Sequence, residues 1–479
     1  MSFKKLVNDA EIEFEEIINL QEQLYSLDST NFDSVHKSIL ESKFLSNRES
    51  LSILLRCIDG SFDARPLSFS FYLEIIKSIS DQIRSTFTSY ELFTDLIKNN
   101  YLKFKLYELG FIDLSTVLFH LKKKSNDLNL FFIFAFEVKK NDIGLYSSYT
   151  AQSSSFREFL ATVTPEEHEI LRSKGLNQAR EALLIRSNDA SGFQSYQNLN
   201  NLSIDLKIKS NYENRQFSEE TLSLIEYAAL FGAVDVFKFL LLKNASLSTN
   251  LPKYAVTGGN YEIIHILEQN GIKFNNEESL NAAIKYHRNE LVQYIRESLE
   301  IEYSIESLKT SLTFYNLSIF FDILKGYNEV PVFQKPKMNL ISYAVQCGYI
   351  DVVKTFSKLI ENSEEINRLV SMAVNHRRFD VFKFLHTKLS GDGNVKPNNS
   401  ELLLTAASIG HITIFKYLLN LVDQNCFEIL NAEKNSALNL AASYGELENV
   451  KFIVSLGPTA AQLNNRNVYG VFFQFFANL

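Results

Sequence analysis

The stretch SLIEYAALFGAVDVFKFLL, residues 223–241, decides the fold, because its pattern recurs through the second half of the chain. The clearest further copies are NLISYAVQCGYIDVVKTF (339–356), LLLTAASIGHITIFKYLL (402–419) and SALNLAASYGELENVKFIV (436–454). Weaker copies occupy residues 250–267, 278–295, 306–324 and 368–385. Self-similarity at a period of roughly 20–50 residues is typical of stacked repeat architectures. The sequence therefore predicts a solenoid of eight repeats.

Each copy is built around one small residue, which we call the frame residue. A small side chain lets packed helices approach closely. Five copies carry glycine four residues later, where positive φ would end a helix, and six carry Asp or Glu seven residues later, where a second helix would begin. The pattern predicts two short helices per repeat. The frame residues are Ala228, Ala255, Ala283, Ser311, Ala344, Ala373, Ala406 and Ala441.

These residues resemble the ankyrin-repeat family, whose pattern T-P-L-H-x-A-A-x-x-G-H-x-E aligns with Ser223 to Val236 and its seven counterparts. The resemblance covers about residues 223–470 and implies an α-solenoid. The T-P-L-H signature is eroded in every copy, and successive frame residues are 27, 28, 28, 33, 29, 33 and 35 apart, where the family keeps about 33. We therefore predict that closely spaced repeats lack most of the β-hairpin finger and that later ones keep it.

The first 220 residues show helical periodicity without the frame. Capping boxes at Thr88–Glu91 and Thr164–Glu167 predict two helix starts. The serine-rich stretch SSYTAQSSS (147–155) is the most loop-like segment, so we place a domain boundary there. The layout is similar to an uncharacterised family of protist ankyrin proteins that carries a domain of unknown function.

We predict an all-α protein with four segments. They are an N-terminal helical domain of unknown function (1–150), a helical linker with a decayed leading repeat (151–220), a degenerate ankyrin solenoid with short or missing fingers (221–470) and an apolar remnant of a ninth repeat, VFFQFFANL (471–479).

Composition agrees with this class. The chain has only 17 glycines and 7 prolines in 479 residues, so it lacks the turn residues of β-sandwiches and barrels. A net charge of -8 provides no basic footprint for nucleic acid, and no apolar run reaches the length of a membrane span. Three dispersed cysteines predict reduced thiols in an intracellular, cytoplasmic protein.

The sequence contains no phosphate loop, dinucleotide fingerprint or nucleophile elbow, and its eight histidines lack metal-ligand spacing. We therefore predict no enzyme activity, no cofactor and no metal site. The expected function is a scaffold or adaptor that binds another protein through the concave face. The alternatives are a structural or decoy repeat protein without a partner, and an enzyme with its site in the N-terminal helices.

The resemblance to ankyrin repeats implies that the second and third residues after each frame residue lie near the concave surface. Aromatic side chains there are of the kind that forms interface hot spots, although the same rings could instead pack on the neighbouring repeat. The fourth repeat, 306–324, has a serine frame residue and no turn glycine, which predicts that it opens first. The candidate partner-binding residues are Leu230, Phe231, Lys285, Tyr286, Phe314, His376, Ile409 and Tyr444.

Overall fold

In a computed structural model of residues 1–479, the chain is built mainly of short helices. This agrees with the scarcity of turn residues in the sequence. The described residues are 2–124, 126–213, 221–274, 276–328, 332–333, 338–360, 362–392, 397–422 and 425–463. The predicted remnant at 471–479 lies outside them. The chain divides into two compact units, Met1–Asn328 (unit 1) and Glu329–Leu479 (unit 2). The predicted all-α class is confirmed.

Unit 1 begins with the helices that precede the repeats. These are α1 (Phe3–Tyr25), α2 (Phe32–Leu40), α3 (Arg48–Ala64), α4 (Phe69–Ser78), α5 (Ser80–Thr86), α6 (Ser89–Glu91), α7 (Asn100–Glu108), α8 (Leu114–Lys123), α9 (Leu128–Ile133), α10 (Ala135–Asn141), α11 (Ile143–Gln152), α12 (Ser154–Thr162), α13 (Pro165–Lys174), α14 (Arg180–Arg186) and α15 (Ala190–Asn200). A π-helix, Leu92–Leu96, follows α6, and 3-10 turns occupy Lys43–Leu45 and Pro66–Ser68.

The two capping boxes lie where the sequence predicts them. At α6 the Thr88 side chain accepts from the Glu91 backbone, and at α13 Thr164 accepts from Glu167, with Pro165 in the first turn. The prediction of a loop at 147–155 is wrong. Helix α11 continues to Gln152, and α12 begins at once because Ser153 Oγ accepts from Phe156 N at 3.3 Å and caps it.

The first four repeats lie in unit 1, each as a pair of helices. The pairs are α16 (Leu224–Leu230) with α17 (Val234–Leu242), α18 (Leu251–Gly258) with α19 (Tyr261–Gln269), α20 (Glu277–Lys285) with α21 (Asn289–Leu299), and α22 (Ile305–Thr313) with α23 (Leu317–Leu324). The first helices pack in a row, α16 on α18, α18 on α20 and α20 on α22. Helices α14 and α15 pack on α16 and α17 respectively, ahead of the first repeat.

Unit 2 holds the other four repeats. The pairs are α24 (Leu340–Cys347) with α25 (Ile350–Phe356), α26 (Ser363–Asn375) with α27 (Phe379–Asp392), α28 (Asn399–Ile409) with α29 (Ile412–Leu419), and α30 (Ala437–Ser443) with α31 (Leu447–Ser455), followed by α32 (Ala460–Leu463). A 3-10 turn, Ser357–Leu359, follows α25. Here too the first helices form a row, α24 on α26, α26 on α28 and α28 on α30.

Burial explains the repeat frame. All eight frame residues are fully buried, because each lies where neighbouring first helices meet. The second helices contribute a recurring phenylalanine, at Phe237, Phe320, Phe382 and Phe415, which is also fully buried. One helix pair cannot cover such a face alone, so stacking supplies the core.

The finger prediction is confirmed for the closely spaced repeats of unit 1 and for the fifth repeat, whereas residues 393–396, ahead of the seventh repeat, lie outside the described residues. In unit 1, β1 (Lys207–Ile208) pairs with β2 (Leu222–Ser223) ahead of the first repeat, and the described residues between the closely spaced repeats form no strand. In unit 2, β3 (Val332–Phe333) pairs with β4 (Met338–Asn339) where the spacing widens to 33. A single bridge, Leu430 to Ser436, precedes the eighth repeat.

Candidate functional site

The turn between the two helices of each repeat forms one edge of each unit, which we call the turn edge. The residue four positions after the frame residue has positive φ in all eight repeats. Five of these residues are glycine, and the others are His287 (φ 51°), Tyr315 (φ 56°) and Arg377 (φ 61°). The left-handed turn conformation is therefore present even in the three repeats that have no glycine at this position.

Side chains at the turn edge bind the carbonyl groups that end the preceding first helix. Arg288 Nη2 donates to the Gly258 carbonyl at 2.6 Å, Asn316 Nδ2 to Ile284 at 2.9 Å, and Arg378 Nε to Gln346 at 2.9 Å. The last carbonyls of a helix have no partner within it and carry its negative end. The donors lie five residues after the frame residue, a polar position that our sequence reasoning missed.

The N-terminal helices bind this same edge at the third and fourth repeats. Arg65, which follows α3, donates to the Tyr286 carbonyl at 2.9 Å and to the His287 carbonyl at 3.3 Å. Gln21 of α1 donates to the Tyr315 carbonyl at 2.5 Å and accepts from Leu317 N at 3.3 Å. Arg65 and Gln21 therefore bind carbonyl groups at the turns of the third and fourth repeats.

The side chain of His287 explains why the third repeat has no turn glycine. Its ring stacks on Tyr25 of α1, with centroids 3.8 Å apart and planes at 11°. Its Nε2 lies 3.0 Å from the Phe314 carbonyl of the next repeat. A glycine here would ease the backbone but would lose both contacts.

Helix α1 also lies along the second helix of the fourth repeat. Phe14 meets Phe321 edge-on at 5.2 Å between centroids, and Lys325 Nζ lies 2.8 Å from Glu11 Oε1. The fourth repeat thus has apolar, polar and ionic contacts with α1. These contacts argue against the prediction that it opens first, which considered only the repeat itself.

A cleft of about 480 Å³ lies beside this junction in unit 1. Its walls include Glu22 of α1, Tyr261 of α19 and Glu290 of α21. Gln21, Arg65 and Arg288 also line it, but each donates to the helix-end carbonyls described above. The cleft therefore lies where α1 and Arg65 bind the repeats, and the donor groups of these three side chains are engaged with the backbone.

The predicted partner-binding residues of unit 1 lie at the turn edge, where they are partly or fully covered. Leu230 and Tyr286 are each only 3% exposed. Phe231 is half-buried against Tyr227, at 4.6 Å between ring centroids. The structure therefore buries Leu230 and Tyr286 and leaves Phe231 partly accessible.

Three of the predicted residues come together between the third and fourth repeats. The ammonium group of Lys285 lies 5.0 Å from the Tyr286 ring centroid and 4.9 Å from that of Phe314. Lys285 and Phe314 are half-buried, so this cation over two rings reaches the surface.

In unit 2 the predicted residues are more accessible. His376 is exposed, Ile409 is half-buried, and Tyr444 is 60% exposed. Arg377 donates to the Ile409 carbonyl and lies 3.7 Å from the Glu446 carboxylate. His376 and Tyr444 therefore remain accessible at the turn edge of unit 2.

A second surface runs along the row of first helices, which we call the inner face. It comprises the residues two before and two after each frame residue, because positions four apart share one side of a helix. Lys253, Asn281 and Lys309 occupy the earlier position in the second, third and fourth repeats, and all are half-buried. Our sequence reasoning selected only positions after the frame residue and so missed these three.

Asp59 and Lys103 are buried ionisable groups in the N-terminal helices. Asp59 accepts from the backbone of Lys98 and Asn99 at 3.1 and 3.0 Å, and burial raises its pKa. Burial lowers the pKa of Lys103, whose ammonium lies 4.5 Å from the Phe93 centroid. The Asp59 carboxylate is thus engaged in holding the backbone ahead of α7. In the described part of the chain, no three His, Cys, Asp or Glu side chains converge as a metal site would require.

Two buried histidines predict sensitivity to acid. Burial lowers the pKa of His287 to about 3 and that of His168 to about 4, so both stay neutral while the unfolded chain takes up protons below about pH 6.5. We expect the free energy of unfolding to fall by about 3–4 kcal/mol between pH 7 and pH 5 from these two groups together. Urea denaturation across this range measures it, and the His168→Gln/His287→Gln variant should have a flatter profile. If the free energy of unfolding depended equally on pH in the variant and in the unmodified protein, these two histidines would not be the source of the acid sensitivity.

The turn residues allow a matched pair of glycine substitutions. His287→Gly should lower the free energy of unfolding by about 1–2 kcal/mol, because the lost stack and hydrogen bond outweigh the relieved backbone. Lys434→Gly, at φ 61° on an exposed turn, should be neutral or raise it slightly. Thermal unfolding of both variants tests this, and a stabilising His287→Gly would show that the stack contributes nothing.

Two family models match parts of the chain. Residues 369–467 match the family model described as "Ankyrin repeats (3 copies)", and residues 242–323 match "Domain of unknown function (DUF3447)". The crystal structure of the human ASB11 ankyrin repeat domain is 15% identical to this chain, with 59% of this chain and 100% of that chain covered and a TM-score of 0.20. No curated protein matches the chain.

The chain therefore carries ankyrin repeats, which generally mediate protein–protein interaction. The match to the domain of unknown function falls on the repeats themselves, over the segment whose turn edge α1 and Arg65 bind. A protist origin stays a prediction. None of the helices in the described residues has the length and apolarity that a membrane crossing requires.

Proposed function

We propose that this protein is a non-enzymatic scaffold or adaptor that binds a partner protein through the concave, inner face of its ankyrin repeats. The observation that carries this proposal is the inner face of unit 2. Two residues after the buried frame residue, all four repeats present an uncharged polar side chain that is exposed or half-buried. These are Gln346, Asn375, Ser408 and Ser443.

Such a row suits recognition. The side chains stand on packed helices whose frame residues are fully buried, so their positions are fixed before a partner binds. Amides and hydroxyls offer both donors and acceptors to a partner's backbone and side chains. The exposed ring of Tyr444 lies next to this row, where an aromatic anchor would be expected.

The test places bulky charge on this face. The variant Asn375→Arg/Ser408→Arg/Ser443→Arg should lose its partner in affinity capture from the source cells, because three bulky arginine side chains would block a partner fitted to smaller, neutral ones. Unfolding by urea should be unchanged within about 1 kcal/mol, since surface substitutions rarely cost more.

A matched control carries the same added charge on the second helices of unit 2. Thr387, Asn420 and Ser455 are exposed there, and their replacement by arginine should leave the captured proteins unchanged. If both triple variants capture the same proteins as the unmodified chain, the inner face does not bind them. The structural or decoy alternative would then be favoured.

A further inference from the structure

The inner faces of the two units differ in charge. In unit 1, Lys253 and Lys309 lie two residues before their frame residues, and Lys285 lies two residues after its own. In unit 2, neither position of any repeat carries a charge. Three lysines on three successive first helices therefore form a basic stripe, α18 to α22, which is peculiar to unit 1.

The acidic residues of α20 and α22 lie at the helix starts. Glu277, Glu278 and Glu306 stand in the first turns of α20 and α22, where they stabilise the helix starts. Glu306 lies 3.6 Å from Lys309 Nζ, and Glu277 accepts from Ser304 Oγ. The first turn of α18 contains no acid. Lys285, the last residue of α20, lies at the opposite end, which we call the basic end, whereas Lys253 and Lys309 lie nearer the helix starts.

At the basic end, the Lys285 ammonium is held over the rings of Tyr286 and Phe314. A half-buried cation has lost part of its water, so an incoming carboxylate costs less to desolvate and interacts more strongly than at a fully exposed lysine. Phe314 beside it offers an apolar contact. The combination suits a chain segment with both carboxylates and apolar side chains.

We infer that the inner face of the second to fourth repeats binds an acidic segment of the partner protein, with its carboxylates at Lys253, Lys285 and Lys309. This inference rests on the proposed function and adds the chemistry of the partner. A protein is favoured over nucleic acid because the whole chain carries a net charge of -8, which opposes a polyanion at long range while leaving a local stripe effective.

The test uses the full chain and a random peptide library. Peptides enriched on the unmodified protein should contain more Asp and Glu than the library, and salt should weaken their binding. The variant Lys253→Gln/Lys285→Gln/Lys309→Gln should bind them about tenfold more weakly in fluorescence anisotropy, which is the loss expected for three partly exposed charge pairs. The variant Lys253→Arg/Lys285→Arg/Lys309→Arg should bind the peptides as well as the unmodified protein does. This result would show that binding depends on the positive charge at these positions.

The matched control removes three lysines elsewhere in unit 1. Lys238, Lys243 and Lys273 lie on α17 and in the loop after α19, and their replacement by glutamine should change binding less than about twofold. Equal losses in both glutamine variants would overturn the inference, because general charge would then explain the binding. Single-stranded RNA that competes with the peptides and depends on the three inner-face lysines would overturn it in favour of nucleic acid.

The failure of this inference differs from the failure of the proposed function. Enriched peptides without acidic residues, whose binding is lost in the Asn375→Arg/Ser408→Arg/Ser443→Arg variant, would overturn the acidic partner and leave inner-face recognition standing. Peptides insensitive to every inner-face variant would overturn both.

Discussion

Replacing Gly258 by alanine is expected to lower the free energy of unfolding by about 3 kcal/mol or more, or to prevent folding. Gly258 ends α18, and an added Cβ would lie 2.0 Å from the Ala229 carbonyl oxygen and 3.1 Å from that of Leu230. Both oxygens belong to backbone, so α16 and α18 would have to move apart. Alanine's better helix propensity recovers only about 1 kcal/mol.

Gly391 provides the control for this substitution. It is exposed near the end of α27, and an added Cβ meets none of the described residues within 4 Å. Gly391→Ala should therefore be neutral or stabilise by up to about 1 kcal/mol. Urea denaturation of both variants distinguishes a close backbone contact from a general effect of replacing glycine. Similar stabilities of the two variants would contradict the contact.

Replacing Gln21 by leucine is expected to lower the free energy of unfolding by about 2–4 kcal/mol. Gln21 is 4% exposed, and its amide bonds the Tyr315 carbonyl and Leu317 N at the turn of the fourth repeat. Leucine fills the space but offers neither partner, and these backbone groups are screened from water. Gln23→Leu, on a half-buried position of the same helix, is the control and should cost less than about 1 kcal/mol.

Hydrogen exchange locates the effect. In the unmodified protein we expect α22 and α23 to be well protected, because α1 contributes Phe14, Gln21 and Glu11 to them. In Gln21→Leu the amides of residues 306–324 should exchange faster than those of the first repeat. Protection of 306–324 that is already the lowest in unit 1 would show that the eroded repeat sequence, rather than α1, decides its stability.

The local pattern of the repeats was readable because it depends on neighbours in the chain. The acidic helix starts and the capping boxes act over a few residues, and the period of the frame residues can be read directly along the chain. Each of these features therefore predicts an element where the structure has one. The serine-rich stretch at 147–155 misled this reasoning, because one serine can cap a helix without opening a loop. The candidate site residues were placed by family resemblance, which carries no information on what covers them.

The sequence by itself determined that this protein is all-α and carries degenerate ankyrin repeats, because the repeat period and the apolar pattern are properties of the chain order. Only the tertiary structure decided which surface each residue reaches. Tyr286 is covered and Tyr444 is exposed, although both hold the same place in the frame. Burial depends on contacts between residues far apart in the chain, such as Arg65 with the Tyr286 carbonyl across more than 200 residues, and no local pattern spans that distance.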